Sequence, residues 1–317
     1  MREINRLDYN LGLLNSFYRK TYKKIVKKDA PYYYINGNRV ISYPREVNQM
    51  FSRMICEDAP FMAARFGSVE LSAINELYKG KLDKDYRYSK KVMHTLCFNA
   101  GFFPEEEKYI EQFGQLMVSD CKYLDVIGLW NDMLEIFTIK TFASNAQGVK
   151  LYCFEPYYDI ESSWTHALAG KKVLIVHPFA NTISNQFKNK DKLFDDGFWP
   201  ECKLITYKAI QTIAGEKDTR FQNWFEALKY MITDIQKLNF DIAIIGCGAY
   251  GFPLAAAVKR MGKQAIHLGG ATQLLFGIRG NRWENSELRR FFNEYWVKPG
   301  IDEIPSHAGK IENGCYW

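Results

Sequence analysis

No C-x-x-C pair occurs in this chain of 317 residues, and its seven cysteines (Cys56, Cys97, Cys121, Cys153, Cys202, Cys247 and Cys315) are odd in number and widely spaced. That argues against a zinc site and against a disulfide framework. Most of them stand in apolar surroundings as small core residues, which suits a reducing cytosol. The chain has no window of about 18 apolar residues that would span a bilayer, and its first residues, MREINRLDYN, hold no apolar signal core. No Pro/Gly/Ser-rich linker, internal repeat or low-complexity run divides it. Excess charge is also small. A net charge of +6 with 25% charged residues does not make a nucleic-acid binder, and none is expected as partner. It is compatible with phosphorylated ligands or an anionic membrane surface.

What is present is ordinary for a globular protein with a full core: 47% hydrophobic and 15% aromatic residues. Residues 1–28 read as a helix with a basic end, followed by an extended pair around Asn36-Gly37, a hairpin turn signal. From about residue 60 apolar runs recur at 61–65, 124–129, 149–154, 172–177, 203–207, 241–246 and 264–268. Helical patterns lie between most of them, at 69–78, 105–120, 131–145, 180–190, 219–238 and 253–262. Continuous apolar runs are strands buried on both faces, so the expected fold is α/β, a Rossmann-like, mostly parallel sheet with helices on both faces. Residues 1–58 form an N-terminal helical and hairpin extension, 59–283 the sheet domain, and 284–317 an irregular tail that packs back as a lid or a cover.

Residues 241–270 carry the strongest local signal. A strand feeds Gly246-Cys247-Gly248-Ala249-Tyr250-Gly251, literally G-x-G-x-x-G. A helix opened by Pro253 follows, and a second strand ends at Gly269-Gly270. Glycines let backbone approach an anion, and a helix N-terminus offers unpaired N–H groups. A dinucleotide site also needs an acidic residue ending the second strand, to hold the ribose. No carboxylate lies between Gly251 and Gly270, which counts against nicotinamide or flavin binding. The same glycines would also serve plain strand–helix packing.

Ligands of such sheets bind beyond the carboxyl ends of the strands. That rule gathers residues 65–68, Trp130-Asn131, Glu155-Pro156-Tyr157, His177-Pro178-Phe179, Tyr207-Lys208, the 246–251 loop and Gly269-Gly270. Among them Ala63-Ala64-Arg65-Phe66-Gly67-Ser68-Val69-Glu70 stands out. Arg65 ends an apolar strand, where a charge is costly without a partner. Gly67 permits a turn, Ser68 reads as a helix N-cap, and Glu70 falls in the first turn. Two readings fit: a capped helix, or a site in which Arg65 grips a phosphate and Glu70 binds a metal or substrate hydroxyls. Asn181 and Gln273 are further hydroxyl binders, and Trp130 and Tyr250 are candidates for stacking on a base or sugar.

The stretch R-F-G-S-V-E at 65–70 resembles the R-F-G-D-G-E signature of bacterial glycosyltransferases of the GT-D fold, which include the former domain of unknown function 1792. Residues 173–179, V-L-I-V-H-P-F, and the late strand–Gly–helix–strand unit are similar to that family as well. The resemblance covers roughly residues 60–280. It implies a Rossmann-type sheet and transfer of a sugar from a nucleotide-diphosphate sugar, UDP being the expected nucleotide. The acceptor would be a glycan or lipid-linked molecule of bacterial surface polysaccharide or glycoprotein assembly, on the cytoplasmic side. Arg65, Glu70 and Glu155 become the catalytic candidates. Gly67, Ser68, Gly246, Gly248, Tyr250, Gly251, Gly269 and Gly270 become the nucleotide-binding ones, and Lys208 a further positive group. Glu155 and His177 join Glu70 as candidate bases. The family's D-x-E element is associated with a divalent metal. Here Ser68 replaces the Asp, so Glu70 holds Mg²⁺ or Mn²⁺ with the diphosphate, Glu155 joins it, or Arg65 neutralises the leaving group without metal. An oxidoreductase and an inactive nucleotide-binding homologue are the alternative readings. The basic N-terminal helix suits peripheral contact with the inner face of the membrane.

Overall fold

The computed structural model describes residues 4–28, 30–31, 34–130, 133–194, 197–311 and 314–317. The chain opens with helix α1 (Arg6–Val26), capped by the Asn5 side chain on the Leu7 amide. The hairpin β1 (Tyr34–Ile35) and β2 (Asn38–Arg39) follows, turning at Asn36 and Gly37 with φ of 54° and 81°. Positive φ at both central residues is what this short turn requires. Next come α2 (Pro44–Cys56), β3 (Met62–Arg65), α3 (Ser68–Leu82), α4 (Lys90–Ala100), α5 (Glu107–Asp120), β4 (Val126–Leu129), α6 (Glu135–Phe142) and β5 (Gln147–Lys150). The second half runs β6 (Lys172–His177), α7 (Ala180–Phe187), α8 (Lys190–Leu193), β7 (Lys203–Lys208), α9 (Trp224–Gln236), β8 (Ile242–Ile245), α10 (Gly251–Arg260), β9 (Gln264–His267) and α11 (Asn281–Glu284).

Strands β3 to β9 form a seven-stranded sheet in the order β5-β4-β3-β9-β8-β6-β7, and each neighbouring pair is parallel. Parallel strands joined by helical crossovers need cover on both faces, which is why the apolar runs are continuous. Along β6, Leu174 and Val176 face one layer while Val173 and Ile175 face the other. The first layer holds α1, α3, α5, α6, α9 and α10; the second holds α2, α7 and the C-terminal segments. Helix α10 is the central cover, with Leu254, Ala255, Ala256, Ala257 and Val258 all buried.

The order of the strands locates a site. From β6 the chain goes outward to β7, whereas from β8 it goes the other way to β9. Adjacent strands whose connections diverge leave a crevice at their carboxyl ends. The predicted strand at 149–154 is shorter than expected. β5 ends at Lys150, and Leu151–Phe154 turn as a 3-10 helix, because Leu151 and Phe154 close over Gly128 of β4.

Candidate functional site

A cavity of about 420 Å³ opens at the carboxyl ends of β3, β6, β8 and β9. Arg65, Ser68, Glu70, Trp130, His177, Gly246, Tyr250, His267 and Gln273 help to line it, with Arg282 from α11 and Tyr316 and Trp317 from the C-terminal tail. Nine buried side-chain nitrogen or oxygen atoms among the described residues have no hydrogen-bond partner. Four of them, Arg65 Nε, Trp130 Nε1, Gln273 Oε1 and Trp317 Nε1, belong to side chains of this lining. Native structures leave few such atoms, and their gathering here marks polar capacity that the protein does not use on itself.

Arg65 closes β3, and its guanidinium lies over the Trp130 ring, 4.6 Å from the centroid. No carboxylate pairs with it at ion-pair distance among the described residues. Trp130 is fixed by its own amide, which donates to the buried Glu135 carboxylate at 3.2 Å. Asn131 lies outside the described residues. Ser68 is not the N-cap that the sequence suggests. Gly67 takes that position with extended backbone (φ −81°, ψ 154°), and Ser68 is the first helical residue, exposed to solvent. The Glu70 carboxylate, at the third helical position, folds back into the space that a side chain at position 67 would need. A Cβ built on Gly67 would stand 1.6 Å from Glu70 Oε2.

The glycine loop differs from a dinucleotide turn. Gly248–Tyr250 form one 3-10 turn that runs directly into α10, which starts at Gly251, two residues before Pro253. Gly246 and Gly251 are explained by close approach. A Cβ on Gly246 would meet the Gly269 carbonyl at 2.4 Å, and one on Gly251 would meet His267 Cε1 at 2.1 Å. Gly270 gives room to Tyr316 in the same way. What remains for a ligand are the amides of Gly248 to Tyr250, which open the turn and so have no acceptor within it. The Tyr250 ring is stacked on Trp224, 4.9 Å between centroids, and belongs to the core.

Two histidines floor the cavity in opposite tautomers. His177 Nδ1 accepts from the Phe179 N–H at 3.0 Å, so the proton of the neutral ring sits on Nε2. His267 Nδ1 lies 3.1 Å from the Ile245 carbonyl. A carbonyl only accepts, so Nδ1 carries the proton and Nε2 offers a lone pair. Burial holds both well below the usual imidazole range, at about 3, with the Arg65 charge adding to it for His267. Both rings are therefore uncharged at neutral pH, one a donor and the other an acceptor.

The tail acts as a cover. The Arg282 guanidinium lies over the Tyr316 ring at 4.8 Å, and Gln273 Nε2 donates to the Tyr316 carbonyl at 3.0 Å. Sequence reasoning missed Arg282, Tyr316 and Trp317, which carry no local motif, and also His267 and residues 99–101. The last group had a readable signal, a Ser89 cap and a left-handed Gly101 at the two ends of α4. Three candidates stay outside the lining. Lys208 is exposed at the end of β7. Asn181 donates its backbone N–H to Glu303 Oε1 at 2.8 Å and its side-chain Nδ2 to Asp302 Oδ2 at 3.5 Å. Glu155 accepts from the Tyr157 hydroxyl instead.

Glu155 nevertheless feels the site. Burial pushes its carboxyl up to about 7 from 4.5, and the Tyr157 hydrogen bond and the Arg65 charge offset part of that rise. The folded protein thus binds this proton more tightly than the unfolded chain, so Glu155 lowers stability as pH rises from about 4.5 through 7. Glu155→Gln removes that loss. Denaturant unfolding should find the variant equal to wild type at pH 4 and about 1–3 kcal/mol more stable at pH 8. Equal stability at both pH values contradicts this.

Glu70 is the one carboxylate of the lining among the described residues, and these residues hold no group of three His, Cys, Asp or Glu suited to a metal ion. A preformed protein cage for Mg²⁺ or Mn²⁺ is therefore not built from them. The donor set fits a cation that arrives with a diphosphate and takes one carboxylate, phosphate oxygens and water.

No family model matches the chain, and no curated protein matches it. Two solved structures resemble it in part. One is described as the highly conserved domain of unknown function 1792 with a distinct glycosyltransferase fold. It is 13% identical, covers 73% of this chain and 78% of its own, and has a TM-score of 0.40. The other is the selenomethionine-substituted form of domain of unknown function 1792, 12% identical over 73% of this chain and 79% of its own, with a TM-score of 0.39. The fold assignment rests on the sheet topology above.

Proposed function

We propose that this protein is a glycosyltransferase that uses a nucleotide-diphosphate sugar, with UDP as the nucleotide and a glycan or lipid-linked acceptor on the cytoplasmic side. The observation that carries this reading is Arg65: an arginine at a strand end, over an indole ring, without an ion-pair partner among the described residues and facing a cavity at the sheet's switch point. An anion is what such a group awaits. The R-F-G-S-V-E stretch supports the same reading.

Glycosyl transfer makes two demands. The leaving nucleoside diphosphate gains charge, and fixed positive groups must meet it. Arg65 and the amides of Gly248 to Tyr250 take that role. A divalent cation, when bound with the diphosphate, would add charge neutralisation there, held by Glu70. The acceptor hydroxyl must lose a proton, and where no cation occupies Glu70 it is the carboxylate of the lining for that task. His177 Nε2–H and the His267 Nε2 lone pair, uncharged at neutral pH, orient sugar hydroxyls. Burial disfavours the protonated form of either ring, which leaves the base to Glu70.

A panel of nucleotide-diphosphate sugars, offered with a lipid-linked acceptor and with or without Mg²⁺ or Mn²⁺, tests the proposal by release of nucleoside diphosphate. Release with a UDP-sugar is expected, and NAD(P) should leave the melting temperature unchanged. No release with any donor, metal or acceptor in the panel overturns it.

A further inference from the structure

Helix α1 has two apolar faces, and only one is used. Tyr9, Gly12 and Ser16 turn toward the body. The Tyr9 hydroxyl donates to Asn75 Oδ1 at 2.8 Å, the Leu134 amide donates to Ser16 Oγ at 2.9 Å, and Gly12 packs against Phe137. Leu7, Leu11, Leu14, Tyr18 and Ile25 recur at spacings of four, three, four and seven, which places them on one stripe of a 3.6-residue helix. That stripe lies opposite the first. Its residues are 65%, 55%, 64%, 57% and 73% exposed. A single exposed leucine is ordinary, but a row of five such side chains marks a docking surface.

The charges say what docks. Residues 6–28 hold seven Lys or Arg against one acid, Asp8, and Lys20, Lys23, Lys24, Lys27 and Lys28 are exposed. We infer that α1 lies on an anionic lipid bilayer, with the leucine stripe toward the acyl boundary and the basic end of the helix, residues 20–28, drawn to the headgroups from its flank and terminus. A second copy of the chain fits less well, because the same segment offers only one acid, Asp8, to answer the lysines. No helix of the described residues is long and apolar enough to cross a membrane, so the contact is peripheral. The inference rests on α1 alone and stands apart from the glycosyltransferase reading.

Flotation of the full chain tests it, with vesicles of phosphatidylglycerol and phosphatidylcholine in equal parts against phosphatidylcholine alone. Wild type should float with the mixed vesicles only, and raised salt should weaken binding. Lys24→Gln/Lys27→Gln should bind roughly 25-fold more weakly, about fivefold for each basic residue near an anionic surface. Leu11→Ser/Leu14→Ser should lose flotation while its melting curve stays that of wild type, since both side chains are exposed. No flotation of wild type at low salt overturns the inference, as does flotation unchanged in both variants. Light scattering that finds a dimer in wild type and a monomer in the leucine variant assigns the stripe to a second copy instead.

Discussion

Replacing Arg65 with alanine should lower kcat/KM for nucleoside diphosphate release by about 10²–10³-fold, the usual cost of removing one fixed group that meets charge developing in the transition state. The loss should fall mainly on kcat if Arg65 acts on the leaving group, and on KM if it only holds the donor. Arg65→Lys separates charge from shape. It keeps the positive charge but gives up the planar fork and the stacking on Trp130 at 4.6 Å, so we expect at least about a tenfold loss there too. Thermal unfolding supplies the control. Arg65 carries a buried Nε with no partner, so its removal leaves no new unsatisfied group, and both variants should melt near wild type. Full activity in Arg65→Ala would remove the basis of the proposed site.

A large loss of stability is expected at Gly246. A methyl group there would stand 2.4 Å from the Gly269 carbonyl and 2.6 Å from Thr272 Oγ1. The first neighbour is backbone and cannot swing aside, and Gly269 is itself held at a φ of 65°. Overpacking of this kind costs about 1–3 kcal/mol, so Gly246→Ala should melt several degrees lower. Gly251→Ala should behave alike, because the His267 ring it would strike is buried and tied to the Ile245 carbonyl. Melting temperatures equal to wild type would mean that the glycines are there for a ligand rather than for packing.

These glycines also show where sequence reading succeeds and where it stops. The G-x-G-x-x-G spacing correctly announces a strand, a tight turn and a helix, since each element follows from local chemistry. It does not separate an anion cradle from close packing, because what fills the space beside Gly246 and Gly251 is Gly269, Thr272 and His267, residues brought there only by β8 and β9 pairing. The parallel sheet was legible for the same local reason: runs such as V-L-I-V and I-A-I-I need cover on both sides. Arg65 was legible because a charge ending an apolar strand is unusual. Arg282, Tyr316 and Trp317 were not, since the four-residue α11 and the short turns after it show no period, and only tertiary contact carries them over the cavity. Ser68 was misplaced by one position. Serine is a good cap in isolation, yet here the helix starts one residue earlier, with Gly67 at the cap, where the Glu70 carboxylate leaves no room for a side chain.

Whether Arg65 meets the nucleotide is decided by calorimetric titration of UDP into wild type and into Arg65→Ala, with and without Mg²⁺. Saturable one-site binding to wild type is expected, and binding at least about tenfold weaker to Arg65→Ala, a difference of about 1.4 kcal/mol or more. Absence of binding to wild type, or equal affinity in both proteins, would contradict that role of Arg65.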